Sequence, residues 1–475
     1  MLISTLDIIG FRGFAQEQTL HFAQPNGAVG SGLTIIVGPN NGGKSTIVES
    51  LRALSTSFNA SAPIRFSEGK RNKMGGDRIL LRVKTSRGDL LELRTVDGGG
   101  SETTIYAPGA IRSLNCYPLP SRRFFAPYFV PGTQIIPDRY NYQSRIGVPD
   151  TRSTAMKDFA EFRLPHAHRW KNEFNAVLGQ IVDPVPHWTI EKSDEGSLYM
   201  KISSEGTSHN SDGAGEGIVS LMFIADSLYD SKPEDLIAVD EPELSLHPVY
   251  QRRLVRLFAE YAKDRQIVLA THSPYFVDFE YILNGAEVAR VHKGLGGCMI
   301  SRITRKPTNQ LGGLLKNRNN PHLLGLEARE AFFQEDGVIV VEGQEDVVHY
   351  SEVFDRLVDM GDLPSKSAAK IKDRFFGWGA GGAGNIEKIV AILYDLGFEQ
   401  VIAVFDQNER GRIRELKKEY PDYLFCAIPA DDIRTKGERK VNATRGLLDE
   451  QYRIRPEFRA DTARLFNDIY GYLQP

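Results

Sequence analysis

Cysteine is scarce in this sequence. Cys116, Cys298 and Cys426 are the only three in 475 residues, and no Cys-x-x-Cys pair occurs. Neither a zinc site nor a disulfide framework is therefore indicated, and a reducing compartment is expected. Charge of one sign is lacking as well. The 58 Lys and Arg face 61 Asp and Glu for a net charge of −3. That excludes binding of nucleic acid through an overall positive field, though not an enzyme whose basic groups gather in one groove. Long apolar runs are missing too, and no stretch approaches the ~20 residues that span a bilayer. Residues 1 to 10 carry no basic region ahead of their apolar residues, and Asp7 interrupts the run. They read as an edge strand rather than a signal peptide. A soluble, cytoplasmic protein with no membrane partner is expected.

What is present is ample chain. Length alone implies two or three domains, and 41% hydrophobic with 25% charged residues is ordinary for a globular protein. Leu33-Thr-Ile-Ile-Val37 is a compact apolar run of the kind buried on both faces of a sheet. A Gly/Asn loop and a helical pattern from Ser45 to Leu54 follow it. Residues 64 to 93 alternate like strands, and 154 to 182 read as helical. Strands are expected at Leu236–Val239 and Gln266–Ala270, with a helix from Pro248 to about Lys263 between them. Gly, Pro, Asn and basic residues crowd 302 to 320, which marks a domain junction. Beyond it a fresh βα pattern begins: strands at Val338–Val341 and Val401–Phe405, helices at Asp346–Met360 and Ile386–Leu396. Alternation of this kind implies a small parallel sheet.

Gly38-Pro-Asn-Asn41-Gly42-Gly43-Lys44-Ser45 matches G-x-x-x-x-G-K-[ST] between a strand and a helix. Backbone N–H groups of such a loop point at phosphates. Lys44 would reach the β- and γ-phosphates and Ser45, followed by Thr46, would ligate Mg²⁺. Leu236-Ile-Ala-Val-Asp240-Glu241 is an apolar strand ending in two carboxylates. Asp240 can hold the Mg²⁺ shell and Glu241 can polarise the attacking water. Alone, the pair reads equally well as a helix cap; beside the phosphate loop it reads as chemistry. Ser211-Asp-Gly213-Ala-Gly215-Glu-Gly217 lies about one helix upstream. Either Ser211–Gly213 or Gly213–Gly215 could present N–H groups to a γ-phosphate held by a second subunit, and a flexible loop capped by Ser211 is the plainer reading.

Phe11-Arg-Gly-Phe14, the phosphate loop, Asp240-Glu-Pro-Glu-Leu-Ser-Leu-His-Pro248 and Thr271-His272-Ser273-Pro274 together resemble the ABC ATPases of the SMC/RecF-like branch, over about residues 1 to 300. The resemblance implies two heads sandwiching ATP, hence a homodimer or higher homo-oligomer. It also implies a γ-phosphate sensor at His272 and a loop at Ser245–His247 that communicates across the dimer. The glutamine that completes the Mg²⁺ shell in such heads has only Gln134 and Gln143 as candidates by position.

In the C-terminal part, Val338-Ile-Val-Val-Glu342-Gly343 and Val401-Ile-Ala-Val-Phe-Asp406-Gln-Asn408-Glu409 each end a strand in an acid. Two parallel strands that deliver acids to one sheet edge suit a hard divalent cation. This resembles a TOPRIM domain, whose pattern is a Glu on the first strand and Asp-x-Asp after a later one. Glu342 would bind metal or serve as base, Asp406 would be the main ligand, and Asn408 stands where the second Asp belongs. Glu409, Asp431 and Asp432 could compensate, and Lys436 and Lys440 could neutralise a phosphodiester. Leu326-Glu-Ala-Arg-Glu-Ala-Phe-Phe333 leading into this domain is similar to the junction of OLD-family proteins.

The expected fold is α/β: an ABC-type P-loop ATPase head over 1–305 with a helical insertion about 150–185, a linker over 306–335, and a smaller TOPRIM domain with a parallel sheet over 336–475. The implied activity is an ATP-regulated, Mg²⁺-dependent endonuclease, with Mn²⁺ a second candidate ion at the C-terminal site. DNA is the first target class and RNA the second, and the resemblance alone implies a role in anti-phage defence. The competing reading is a nucleotide-gated switch whose degenerate TOPRIM domain controls a partner defence protein. A RecF-type repair role is weaker, since no long heptad segment is present. Basic stretches at 65–87 and 302–318 are candidate phosphate contacts, though charge runs are more often solvated.

Overall fold

The computed structural model describes residues 1–59, 63–97, 100–109, 114–121, 123, 128–129, 159–204, 206–211, 213, 215–304, 306–309, 329–334, 337–372, 374–435 and 445–474. These form two compact units, Met1–Ile300 and Ser301–Pro475.

The first unit is built on a six-stranded sheet in the order Gly297–Arg302, Glu287–Gly294, Leu33–Val37, Gln266–Ala270, Leu236–Asp240, Cys116–Leu119. The pairings from Glu287–Gly294 through to Cys116–Leu119 are all parallel. Leu33–Val37, Leu236–Asp240 and Gln266–Ala270 are buried at every position, which is what continuous apolar runs in a parallel sheet require. Helix Lys44–Asn59 buries Ile47, Leu51, Leu54 and Phe58 in the same core. Because the three central strands run the same way, the residues after Val37, Asp240 and Ala270 emerge side by side at one sheet edge.

A second, antiparallel sheet runs Gln18–His21, Ile3–Ile9, Leu80–Thr85, Leu90–Thr95, Thr103–Tyr106. It corrects two expectations. Ile3–Ile9 is paired on both sides and is not an edge strand; an apolar pattern reports burial and says nothing about how many neighbours a strand has. The strand pattern expected from residue 64 begins only at Leu80. Before it lie single 3₁₀ turns at Glu68–Lys70 and Lys73–Gly75, the latter held by the Asn72 side chain accepting from the Met74 and Gly75 N–H groups. In the insertion, a π-turn at Phe159–Arg163 leads into helices Leu164–Arg169 and Lys171–Leu178; residues 150–158 lie outside the described residues. A smaller antiparallel sheet joins His187–Lys192, Leu198–Ser204, Thr207–His209 and Tyr128–Phe129.

The second unit holds a four-stranded sheet, Phe375–Gly379, Val338–Val341, Val401–Phe405, Leu424–Ala427, parallel throughout. Its two central strands are wholly buried. Helices Gln344–Asp359, Ala383–Asp395 and Pro456–Tyr472 flank the sheet, and Tyr350, Phe354 and Phe466 pack with Ile339, Val341, Ile402 and Val404. Strand Phe375–Gly379 was not anticipated, because its Phe-Phe-Gly-Trp-Gly sequence has no periodicity to read.

Candidate functional site

The phosphate loop turns sharply out of Leu33–Val37. Gly38 has φ +131°, and a Cβ placed there would lie 2.2 Å from the carbonyl oxygen of Val291. Only glycine fits both the backbone and the space. A Cβ on Gly42 would lie 2.6 Å from the same carbonyl oxygen, Asn41 takes a left-handed φ of 57°, and Gly43 is at φ +112°. Lys44 is buried, and its ammonium donates to the carbonyl oxygens of Gly38 at 2.9 Å and Pro39 at 2.8 Å. Ser45 Oγ donates to Asp240 Oδ1 at 3.0 Å. The P-loop hydroxyl and the carboxylate that ends Leu236–Asp240 thus stand together as two oxygen donors, the chemistry a hard cation selects. Thr46 is buried behind them, its N–H bonded to the Gly43 carbonyl at 3.0 Å.

Beside this pair a cavity of about 150 Å³ is lined by Arg12, Ser45, Glu49, Arg52, Lys70 and Asp240, among others. Glu49 on helix Lys44–Asn59 pairs with Arg12 at 2.6 Å and Lys70 at 3.8 Å, so two cations are held in the lining of this cavity.

Glu241 sits at φ 49°, a left-handed conformation that costs a non-glycine residue about 1–3 kcal/mol. It is held on both sides of the residue. Its N–H donates to the Ala270 carbonyl at 2.7 Å, and its own carbonyl accepts from the Arg123 guanidinium at 2.8 Å. Two residues on, Glu243 accepts from Thr271 Oγ1 at 2.8 Å and from the His272 N–H at 2.5 Å. Burial pushes the Glu243 carboxyl above its usual range while those hydrogen bonds pull it back. Glu243 therefore fixes the turn that carries His272, next to Glu241 and the phosphate loop. The strand register agrees, pairing Ala270 with both Asp240 and Ile36.

Helix Glu216–Asp230 starts at Gly215. Ser211 is buried, and Gly213 and Gly215 are exposed. Ser245, at φ 60°, donates to Glu216 Oε2 at 2.9 Å, which joins the loop after the Asp-Glu strand to the start of this helix. Gln134 and Gln143 lie outside the described residues.

In the second unit, Glu342 and Asp406 leave neighbouring parallel strands, and Glu342 Oε1 accepts the Asp406 N–H at 2.8 Å. Asp346 Oδ2 accepts the Gly343 N–H at 2.7 Å, closing the first turn of helix Gln344–Asp359. Burial, opposed by that hydrogen bond and reinforced by Glu342 and Asp432, raises the Asp346 carboxyl to about 6. Burial likewise raises Glu342; the Asp406 N–H and Arg412 oppose this, while Glu409 and Asp432 add to it. Asp432 is buried and accepts the Arg434 N–H at 3.2 Å. Asn408 and Asp431 are exposed, and Glu409 is paired with Arg412 at 3.0 Å. Among the described residues, no three His, Cys, Asp or Glu side chains converge closely enough to hold an ion. Lys436 and Lys440 lie outside the described residues.

Two family models match within the first unit. A family model described as "AAA domain" matches residues 5–81, which include the phosphate loop. A second, "AAA domain, putative AbiEii toxin, Type IV TA system", matches 125–278, which include Asp240, Glu241 and His272. Endonuclease GajA of Bacillus cereus (strain VD045) is 22% identical over 272 residues, 54% of this chain and 43% of that protein. The first unit is similar to AAA-type ATPase domains. The chain thus matches less than half the length of that relative. Among solved structures, an Smc head bound to the C-winged helix domain of ScpA is 14% identical with a TM-score of 0.43, covering 65% of this chain and all of that one. The SMC head domain from Thermotoga maritima is 15% identical with a TM-score of 0.36, covering 64% and 100%.

The ATPase domain contains residues that sequence reading passed over. Glu243 lies inside the Asp-Glu-Pro-Glu run but carries no signal of its own. Arg123 stands in a Pro- and aromatic-rich stretch without periodicity. In the second unit Asp346 follows Gly343 by three residues, the spacing of an acid that closes a helix N-terminus, and that spacing was its one legible signal.

Proposed function

We propose that the chain is an ATP-regulated, Mg²⁺-dependent endonuclease of phosphodiesters, DNA before RNA, serving in anti-phage defence. The observation that carries this reading is the set of carboxylates Glu342, Asp346, Asp406 and Asp432 around one edge of the second unit's parallel sheet. Burial and mutual repulsion raise two of them. Carboxylate oxygens at one sheet edge, with Asp432 buried and the other three half-buried, are donors that suit a hard cation. The endonuclease named among the relatives supports the same reading. In this proposal the ATPase domain spans 1–305, a linker 306–335, and a TOPRIM-like nuclease domain 336–475.

At the ATPase site Gly38 to Thr46 cradle the phosphates, Lys44 balances their charge, and Ser45 with Asp240 would hold Mg²⁺. Glu241 orients the attacking water, and His272 contacts the γ-phosphate. Ser211, Gly213 and Gly215 would close on ATP held by a second copy, which calls for a homodimer or larger assembly. At the second site Asp406, Glu342 and Asp346 would hold Mg²⁺ or Mn²⁺, with Asn408 an added neutral oxygen donor. An ion held there would supply a water of lowered pKa and stabilise the leaving oxygen, and Glu342, whose carboxyl is raised by burial, would accept the proton. No helix among the described residues is long and apolar enough to cross a membrane, and a cytoplasmic site of action is proposed.

The test is plasmid cleavage with Mg²⁺ or Mn²⁺, with and without ATP, beside Glu342→Ala and Lys44→Ala. Nicking lost in Glu342→Ala supports the nuclease, and Lys44→Ala gives the direction of ATP control. Absence of cleavage of DNA and RNA with ATP hydrolysis intact would refute it. The second reading, a nucleotide-gated switch acting on a partner defence protein, is favoured by two observations: Asn408 is exposed, and among the described residues no three acids converge.

A further inference from the structure

Arg123 follows strand Cys116–Leu119, which lies parallel and next to Leu236–Asp240. Its side chain is buried at 4% exposure, and every hydrogen bond it makes goes to a neutral acceptor. Nη1 donates to the carbonyls of Pro120 at 2.7 Å and Asp240 at 2.8 Å. Nη2 donates to the carbonyl of Glu241 at 2.8 Å, and Nε to Ser220 Oγ at 2.7 Å. Ser220 belongs to helix Glu216–Asp230, whose N-terminus carries the Ser211–Gly215 loop.

Burying a guanidinium against neutral oxygens is costly, and a purely structural filler has no need of the charge. What the charge meets is specific. It grips consecutive carbonyls at Asp240 and Glu241, the two that flank the Glu241 Cα with its left-handed φ of 49°. The planar fork spans two carbonyls at once, which a lysine ammonium on a flexible stem does not reproduce. Burial lowers its pKa to about 10, with Asp240, Glu243 and Glu241 opposing, so it stays charged at neutral pH.

We propose that Arg123 is a positioning residue for ATP hydrolysis: it locks the backbone of Glu241 in its left-handed conformation and, through Ser220, couples that lock to the helix behind the Ser211–Gly215 loop. The inference rests on Glu241 as the water-orienting group. Movement of the helix would be felt at Glu241 without passing through the nucleotide.

The experiment measures ATP binding, steady-state hydrolysis and thermal unfolding for the full chain, Arg123→Lys, Ser220→Ala and Glu241→Gln. Arg123→Lys is expected to lower kcat by about tenfold or more with the ATP Kd within about threefold of wild type. Ser220→Ala, which leaves the carbonyl grip intact, is expected to lower kcat by about threefold at unchanged ATP affinity. A folded Arg123→Lys that hydrolyses ATP at the wild-type rate overturns the proposal, as does a loss of kcat matched by an equal loss of ATP binding. If Arg123→Lys does not fold, Ser220→Ala decides: a wild-type kcat there overturns the coupling. Glu241→Gln separates the two claims, because retained hydrolysis in that variant removes the premise rather than the role of Arg123.

Discussion

Glu342 and Asp406 are joined by the main chain: the Asp406 N–H donates to Glu342 Oε1 at 2.8 Å, linking the ends of two adjacent parallel strands. The carboxylate that opens the second unit's site is therefore held by the backbone of the residue that closes it. Replacing Glu342 by Ala leaves that N–H without its partner, so the Glu342→Ala variant needs Glu342→Gln beside it, which keeps an acceptor and removes only the charge.

Stability of the second unit should depend on pH through Asp346. Its carboxyl is raised from 3.8 to about 6, so the folded state favours the proton, and the stabilisation is complete below the ordinary pKa and lost as pH rises through 6. The shift corresponds to about 3 kcal/mol. In EDTA, the wild-type Tm should fall between pH 4.5 and 7 by more than that of Asp346→Asn. Parallel profiles would refute this.

Magnesium should reverse that loss. With several millimolar Mg²⁺ at pH 7 and no nucleotide, the Tm of Lys44→Ala should rise, and that of Lys44→Ala combined with Asp346→Asn should rise much less. The two variants share the same ATPase site, so the difference between them reports the second site alone.

Gly38→Ala should disable the phosphate loop, because the added methyl meets the Val291 carbonyl at 2.2 Å in a backbone at φ +131°. ATP affinity should fall by about tenfold or more, with a stability loss of about 1–3 kcal/mol. Gly88→Ala is the control for backbone strain alone, since at φ +90° its methyl meets open space; nucleotide titration should find its affinity unchanged.

The buried pair between the insertion and helix Glu216–Asp230 should matter for folding. Arg163, 1% exposed, donates Nε and Nη2 to Asp226 at 3.0 and 2.8 Å and lies 3.3 Å from Asp230. Arg163→Ala leaves two carboxylates without their cation and should cost about 3–5 kcal/mol in denaturant unfolding. Joint replacement of Arg163 and Asp226 by apolar residues should recover much of the loss.

Much of the architecture was legible before any coordinates. Leu33–Val37 and Gln266–Ala270 were readable to the residue, because strands buried on both faces are written as unbroken apolar runs. The phosphate loop was equally plain, since its geometry admits glycine at few places and demands it there. The strands Glu287–Gly294 and Gly297–Arg302 were not foreseen, their mixed residues carrying no clean alternation.

What the sequence by itself determined is local: which runs are buried, where a loop must turn through glycine, and which strands end in acids. What only the tertiary structure decided is which distant groups meet. Ser45 touches Asp240 across 195 positions, and Arg123 grips Asp240, Glu241 and Ser220 from a stretch with no pattern. A hydrogen bond between remote residues leaves no periodicity along the chain, because the sheet order that brings them together comes from packing the whole core. For the same reason Asn408, two residues from Asp406 in sequence, is exposed, while the half-buried Asp346 and the buried Asp432 lie near Glu342.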